Sequence, residues 1–202
     1  MKVKVLFLLF IFVPVIAINA QRLGVKAGVN LNNSKVDFNG MDADLYTGFN
    51  VGLISDFNLP FSGWKFNTGL LYSYEGFKLK EDYGNNMGIT YHFITNNIEI
   101  PLNIRREFNH FVIKHYIQAG LNSSYALSGR IKDGESSRSL SFKNNADRFD
   151  FGASVGIGCY LTSKLQLLAS YDHGLTESEL VFGDQIISTK NRRWSLAVEY
   201  MF

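Results

Sequence analysis

Cysteine is nearly absent from this chain, and neither sign of charge dominates it. Among 202 residues there is one cysteine, Cys159, so no internal disulfide can form and a disulfide-stapled fold is excluded. Lys and Arg together number 20, against 18 Asp and Glu. This balance gives no indication of a nucleic-acid partner. The fold must therefore be stabilised by packing and hydrogen bonding.

Helical periodicity and recognisable catalytic motifs are also missing. No apolar pattern of period 3.6 continues beyond the first twenty residues, which argues against a helical domain. The chain has no metal-ligand spacing, no phosphate-binding glycine loop and no nucleophile elbow. The sequence therefore predicts no cofactor, no metal site and no enzymatic activity.

The first twenty residues have the three-part pattern of a secretory signal peptide. Lys2 and Lys4 precede an apolar run, and the segment ends on the small residue Ala20. Pro14 interrupts the run, which is too short for a membrane-spanning helix. We therefore expect residues 1–20 to be removed on export, leaving 21–202 as one domain. Loss of Lys2 and Lys4 leaves 18 basic and 18 acidic residues.

Alternation of apolar and polar residues recurs along the whole of 21–202. This period of two is the signal of β-strands with one apolar face. The alternating segments are 23–32, 48–57, 64–75, 89–105, 116–125, 149–159, 165–171 and 194–202. In the fourth segment the apolar residues change from odd to even positions, and a β-bulge at 94–97 would restore their facing.

The connections between these segments alternate in length. Short turns are predicted at 59–63, 106–110 and 162–163, and longer polar loops at 33–44, 80–88, 129–147 and 176–190. The last loop alternates over 181–187, which predicts a short hairpin there. Short turns on one rim and long loops on the other are typical of an outer-membrane barrel. The sequence therefore predicts an all-β, eight-stranded, antiparallel, up-and-down transmembrane β-barrel in the cell outer membrane.

The composition of the two faces decides which one contacts lipid. The polar face is crowded with glycine, serine and asparagine, which suits the narrow interior of an eight-stranded barrel. The other face is bulky, has no charge within the alternating runs, and gathers aromatic residues near the strand ends, as interfacial girdles do. The alternative is a soluble, lipocalin-like carrier of small molecules with its bulky face inside.

Charged residues on the polar face are expected to form a network inside the barrel. The candidates are Lys26, Lys65, Glu75, Glu99, Arg105 and Glu199. Closure of the barrel should bring Lys26 close to Glu199, the alternative being that each is solvated near the periplasmic rim. Glu99 should pair with Lys65 or Arg105, the alternative being a proton or cation site at Glu99. Pro101 cannot donate a ladder hydrogen bond, so we expect a bulge near it.

An alternative hypothesis is a lipid-modifying hydrolase or acyltransferase, which would need a catalytic histidine. His92, His110 and His115 have no catalytic pattern, and His173, between Asp172 and Ser178, is the best candidate. Consecutive strand residues point to opposite faces, so Asp172 cannot orient His173 in a triad.

Several short segments resemble the outer membrane protein β-barrel domain family, including its PorT-type members. The resemblance covers the mature chain and is carried by 23–30, 98–102, 116–121, 151–156, 171–175 and 200–202. It implies an eight-stranded outer-membrane barrel without an open channel, and neither an enzyme nor a defined ligand. The aromatic end Tyr200-Met201-Phe202 resembles the signal read by the barrel-assembly machinery.

The sequence therefore favours a non-enzymatic structural or interaction scaffold. Its expected partners are outer-membrane lipids, the barrel-assembly machinery during biogenesis, and an envelope or secretion protein. A role accessory to protein secretion or envelope integrity follows only by analogy with PorT.

Overall fold

The computed structural model describes residues 21–37, 43–82, 88–108, 113–133, 136–182 and 185–202. The predicted signal peptide lies outside these ranges. Within them the chain forms fourteen β-strands and a 3-10 turn at Asn145–Arg148. The described residues include no helix long and apolar enough to cross a membrane.

Eight long strands form the wall of a closed barrel. They are β1 (Gln21–Asn32), β4 (Tyr46–Asn58), β5 (Trp64–Asp82), β6 (Gly88–Phe108), β7 (His115–Asp133), β10 (Phe149–Tyr160), β11 (Leu165–Gly174) and β14 (Arg192–Met201). Each is antiparallel to the next along the chain, and β14 pairs with β1 from Gly24–Met201 to Asn32–Arg193. The predicted all-β, eight-stranded up-and-down barrel is confirmed.

Six shorter strands extend the architecture at one end. They are β2 (Lys35–Asp37), β3 (Ala43–Asp44), β8 (Ser136–Ser139), β9 (Ser141–Phe142), β12 (Ser178–Phe182) and β13 (Gln185–Lys190). β3 and β8 add to the long strands β5 and β7. The other four form a separate sheet in the order β2-β13-β12-β9, which we call the cap.

The short connections lie at the opposite rim from the cap. Here Arg22, at the start of β1, donates to the Ser163 carbonyl (3.2 Å), and the Met201 amide donates to the Lys164 carbonyl (2.8 Å). The two ends of the barrel sequence therefore meet beside the 161–164 turn. In the 59–63 turn Gly63 has φ +75°, a conformation that other residues rarely adopt.

The part of the barrel from this rim up to the level of Glu75 is apolar outside and polar inside, and we call it the belt. Its inner face buries asparagines such as Asn30, Asn50 and Asn67. Its outer face carries large apolar side chains that are more than half exposed: Leu23, Val29, Leu53, Leu70, Leu121, Val155, Ile157 and Leu196. The soluble-carrier alternative is wrong, because it requires these side chains inside.

Above Glu75 the strands β5, β6 and β7 continue with the opposite polarity, and we call this part the extension. Its inner face is apolar and packs against the cap. The buried core formed there comprises Phe77, Leu79, Phe93, Ile131, Leu140, Leu180 and Ile187. Phe77 and Phe93 stack with ring centroids 4.7 Å apart.

The change of phase in β6 has a different cause from the one predicted. The pairing of β5 with β6 keeps one register from Gly88 to Arg106, so no facing is reversed. Phe93 points inward because the cap covers it. A register shift does occur at Asn96/Asn97, but against β7, where Leu127 is the extra residue.

Of two further predictions about local structure, one is wrong and one is confirmed. Residues 129–133, 136–139, 141–142, 178–182 and 185–190 were expected in loops and belong to strands, because the apolar core under the cap holds them in sheet. The hairpin predicted at 181–187 is present as β12 and β13.

Pro101 does not produce a bulge. The pairing of β5 with β6 is interrupted at Ile100 and Pro101, and it resumes at Leu102 in the same register. On the other side Pro101 stays paired with Asn122 of β7. The missing N–H therefore costs ladder contacts on one side of the strand without inserting a residue.

Candidate functional site inside the barrel

The polar interior is the candidate site, and the belt holds it as a stack of ionic clusters. The structure places all six residues singled out in the sequence on the inner face: Lys26, Lys65, Glu75, Glu99, Arg105 and Glu199. They do not form one network. Glu75 and Glu99 belong to an upper cluster, and the other four lie nearer the short-turn rim.

Arg105 organises the lower cluster and is fully buried. Its guanidinium donates to Glu199 (3.0 Å) and to Asp56 (3.3 Å). Gln118 and Gln166 each accept a further bond at 3.0 Å. Lys26 approaches Glu199 to 3.9 Å across the β1–β14 seam, as expected from their register. Two cations therefore face two carboxylates here, so the cluster is formally neutral.

An aromatic ring completes the lower cluster. The Arg105 guanidinium lies 4.0 Å from the ring centroid of Tyr116, a cation–π geometry, and the Tyr116 hydroxyl donates to Glu199 (3.4 Å). Gly158 makes room for this ring, because a Cβ at that position would overlap it. The glycine-rich inner face thus accommodates the bulky members of the network.

A third ionic group closes the barrel at the short-turn rim. Glu107 accepts from Lys65 (2.7 Å) and from Lys114 (2.8 Å), and the Tyr160 hydroxyl also donates to it. Lys65 and Glu107 are buried, whereas Lys114 is partly exposed. This group fills the rim end of the lumen.

Arg193 organises the upper cluster. It donates to Glu75 and to Glu99, and its Nε donates to Asp172 (3.1 Å). Asn97 also donates to Glu75 (3.2 Å). In the part of the chain that the structure describes, one cation therefore faces three carboxylates, and burial without it would leave them uncompensated.

The predicted partner of Glu99 is wrong. Glu99 was expected to pair with Lys65 or Arg105, but it pairs with Arg193. Arg105 lies six residues further along the same strand, which corresponds to about 20 Å at the rise of a β-strand. Lys65 is directly opposite Arg105 and is equally remote.

The sequence prediction missed Arg193 because its last strand begins at Trp194, two residues after the observed start of β14 at Arg192. Trp194 and Leu196 point outward, so the same alternation places Arg193 and Ser195 inside. Extending the alternation by one residue would have identified it. Asp56 and Gln118 lie within the alternating segments 48–57 and 116–125, and their contacts with Arg105 follow only from the closed barrel.

Little free space remains between the clusters. One cavity of about 20 Å³ lies between Glu99, Asp150 and Arg193, and another of about 20 Å³ lies near Lys26 and Asn103. Each holds about one water molecule. A cavity of about 80 Å³ separates the upper cluster from the cap.

The histidines do not assemble a catalytic group within the described residues. His173 contacts the hydroxyl of Tyr171 (3.4 Å), whereas the neighbouring Asp172 is bound by Arg193. His92 and His115 lie on other strands, and His110 is outside the described residues. The described residues contain no group of His, Cys, Asp and Glu side chains that could hold a metal ion.

The closed barrel is similar to solved outer-membrane proteins. The outer membrane protein OprG from Pseudomonas aeruginosa has a TM-score of 0.54 at 9% identity, over 91% of this chain and 96% of that one. A major outer membrane protein from Thermus thermophilus has a TM-score of 0.53 at 13% identity, over 91% of this chain and 100% of that one. At these identities the likeness shows the fold. No curated protein matches the chain.

The sequence of the strands also matches a family model. The model of the outer membrane protein beta-barrel domain matches residues 19–179, which is most of the chain. PorT-type membership stays a prediction, because the matched model is that of the wider family. The apolar belt, the closed ring of eight strands and the match to the family model together show that the chain belongs to the outer membrane protein β-barrel domain family and is a protein of the outer membrane.

Proposed function

We propose that this protein is a non-enzymatic structural or interaction barrel that displays an ordered extracellular sheet and does not act as a diffusion pore. The observation that carries the proposal is the filled lumen. Clusters around Glu107, Arg105 and Arg193 occupy successive levels of the belt, and an apolar core covers the outer end. An eight-stranded interior filled in this way leaves no continuous aqueous path.

The cap is the part available for interaction. Loops held by a rigid scaffold commonly carry binding functions, and here the scaffold orders them into a sheet above the membrane. The proposed partners are outer-membrane lipids around the belt, the barrel-assembly machinery during biogenesis, and an envelope or secretion protein at the surface. A role accessory to secretion or envelope integrity rests on the resemblance to PorT-type proteins.

Catalysis is not part of the proposal. A lipid hydrolase or acyltransferase needs a nucleophile and a base in contact, with a third group orienting the base. Asp172 is committed to Arg193, and the contact of His173 is with Tyr171. These contacts support a structural role for both side chains.

Conductance across a planar lipid bilayer tests the closed lumen. We expect the wild-type barrel to insert without stepwise conductance. The variant Arg105→Ala with Gln118→Ala removes the centre of the lower cluster, and it serves as a control that an opened lumen would be detected. Stepwise conductance from the wild type, with the cap intact, would refute the closed barrel.

Deletion of the gene tests the interaction role separately. We expect the deletion strain to show altered envelope integrity or reduced secreted protein, restored by the wild-type chain. The same chain lacking the cap hairpin 178–190 should insert but fail to restore. Full restoration by that variant would remove the cap from the proposal.

A further inference from the structure

The outer wall of the extension carries a row of basic side chains. Lys78 in β5, His92 in β6 and Lys132 in β7 are direct register partners across three neighbouring strands. Directly opposite residues of an antiparallel sheet share a face, with Cβ atoms about 4.5–5.5 Å apart. The buried core under the cap includes their chain neighbours Phe77, Leu79, Phe93 and Ile131, so these three side chains point outward.

A fourth basic residue joins this row. Arg130 lies two residues below Lys132 on the same face of β7, opposite Ile94. Arg130 and Lys132 are exposed, and Lys78 is half-buried. We call Lys78, His92, Arg130 and Lys132 the outer-wall basic patch.

Acidic residues near the patch are already engaged. Asp44 of β3 lies opposite Lys78 but is bound by Lys80 at 2.5 Å. Asp133 lies on the inner face and is bound by Arg138 at 3.0 Å. Within the described residues the patch therefore keeps an excess of positive charge. Partial burial, together with the charges of Lys78 and Lys132, lowers the pKa of His92, which reflects this field.

The outer face beneath the patch changes in layers. Directly below lies a neutral polar row in which the Tyr72 hydroxyl donates to Asn96 (2.6 Å) and Asn96 donates to Ser128 (2.9 Å). Below this row the wall is apolar, with Leu70 and Leu121 exposed. The patch is four residues beyond Tyr74 on β5, which is roughly 10 Å along the axis of a barrel with tilted strands.

We propose that the outer-wall basic patch binds the phosphate-bearing headgroup of an anionic lipid of the outer leaflet, whose acyl chains lie against the apolar wall of β5, β6 and β7. The order of apolar, neutral polar and cationic layers on the wall matches the order of acyl chain, linker and phosphate in such a lipid. Arginine and lysine are the side chains that bind phosphate most favourably. The proposal does not depend on a closed lumen or on a protein partner.

Lipid titration of the purified barrel, followed by native mass spectrometry, tests the proposal. The probes are a diphosphorylated lipid A and the same lipid without its phosphates. We expect the phosphorylated lipid to bind more tightly. The triple variant Lys78→Gln, Arg130→Gln, Lys132→Gln should lose at least tenfold in affinity, since each basic side chain near a membrane surface contributes about fivefold.

A matched variant separates the patch from general surface charge. Arg138→Gln, Lys143→Gln, Lys190→Gln removes the same charge from the cap and extension edge, and we expect it to bind as the wild type does. Faster gel migration without boiling verifies that both variants are folded. Equal losses in the two variants, or equal binding of the two lipids, would overturn the proposal.

Inorganic phosphate distinguishes the lipid from a free anion. We expect it to leave the bound lipid in place at concentrations where phosphorylated lipid A competes, because the free ion lacks the acyl contacts. Displacement by inorganic phosphate at those concentrations would show a free-anion site and would also overturn the proposal.

Discussion

The belt and the extension share strands β5, β6 and β7, yet they face their surroundings in opposite ways. In the belt Leu70 points outward and Ser73 inward, whereas in the extension Lys78 points outward and Phe77 inward. The backbone does not turn over between them, because β5 and β6 keep one register throughout. What changes is the surroundings of each face. In the belt the outer face contacts lipid and the inner face lines a polar lumen. In the extension the outer face contacts water and the inner face packs against the cap. The polarity of each strand face therefore matches the surroundings that the face contacts.

The largest expected effect comes from removing the cation that serves three carboxylates. Arg193→Met leaves the buried Glu75 and Glu99, and the partly buried Asp172, without their charge partner. We expect the free energy of unfolding to fall by about 3–5 kcal/mol. Urea titration of the barrel in lipid vesicles, followed by unboiled gel migration, measures this.

A second-site change in the same cluster checks the cause. Adding Glu75→Gln and Glu99→Gln to Arg193→Met removes the excess negative charge, and we expect part of the lost stability to return. Arg130→Met is the control for loss of an exposed arginine and should change the free energy of unfolding by little. A triple variant no more stable than Arg193→Met would contradict the electrostatic explanation.

A comparable but local effect is expected in the core of the extension. Phe93→Ala removes a ring stacked on Phe77 and should destabilise the cap by about 3–5 kcal/mol. We expect protease added to intact vesicles to cut the variant within 129–147 or 176–190 while the belt keeps its unboiled gel shift. Phe49→Ala, on the outward face of the belt, should leave the cap protected. Simultaneous loss of belt and cap would show that the two regions do not unfold separately.

The next-largest change in unfolding free energy is expected from placing a charge on the outer face of the belt, compared with removing one from the outer face of the extension. Leu121→Lys places a cation on the lipid-facing belt and should cost about 2–4 kcal/mol of unfolding free energy. The reverse change, Lys132→Leu in the extension, should cost little, since that side chain is exposed to water. Urea titration of both variants compares them, and equal costs would place the same medium around both regions.

The smallest effect concerns an exposed ion pair of the cap. Lys143 donates to Glu179 at 2.6 Å, and this bond together with the negative charge raises the pKa of Lys143. Because the pKa of Lys143 is raised in the folded protein, the ion pair stabilises the cap fully at neutral pH. This stabilisation disappears as the pH rises through the pKa of Lys143. We expect Lys143→Gln to increase protease cutting of the cap slightly at neutral pH. In strongly alkaline solution the wild type should match the variant.

The sequence predicted the belt well and the extension poorly, for a physical reason. Alternation in the sequence predicts which side chains point inward only when one side of the strand is apolar and the other is polar along its whole length. In the belt that condition holds, so the inner positions of Lys26 and Glu199 followed from parity. In β6 the apolar side changes from outward Ile98 to inward Phe93, so the alternation wrongly predicts a bulge that reverses the facing of the strand.

Contacts that depend on the distance around or along the barrel could not be predicted from the sequence. Glu99 and Arg193 are 94 residues apart and meet only because the barrel closes and sets their level. Apart from the hairpin at 181–187, the sequence predicts polar loops where the cap lies, because the strands there are short and apolar residues such as Leu140 and Phe142 stand between polar ones. They gain a shared core only once the extension brings them together.

A depth scan of the outward positions of β5 tests the central claim most directly. Single cysteines at Leu70, Tyr72, Tyr74, Lys78 and Lys80, in a Cys159→Ser background, would carry a spin label in lipid vesicles. We predict that oxygen dissolved in lipid relaxes the labels at 70 and 72, and that a water-soluble nickel chelate relaxes those at 78 and 80, with the crossover near Tyr74. Lipid exposure at 78 and 80, or water exposure at 70, would contradict a membrane boundary where the wall changes polarity.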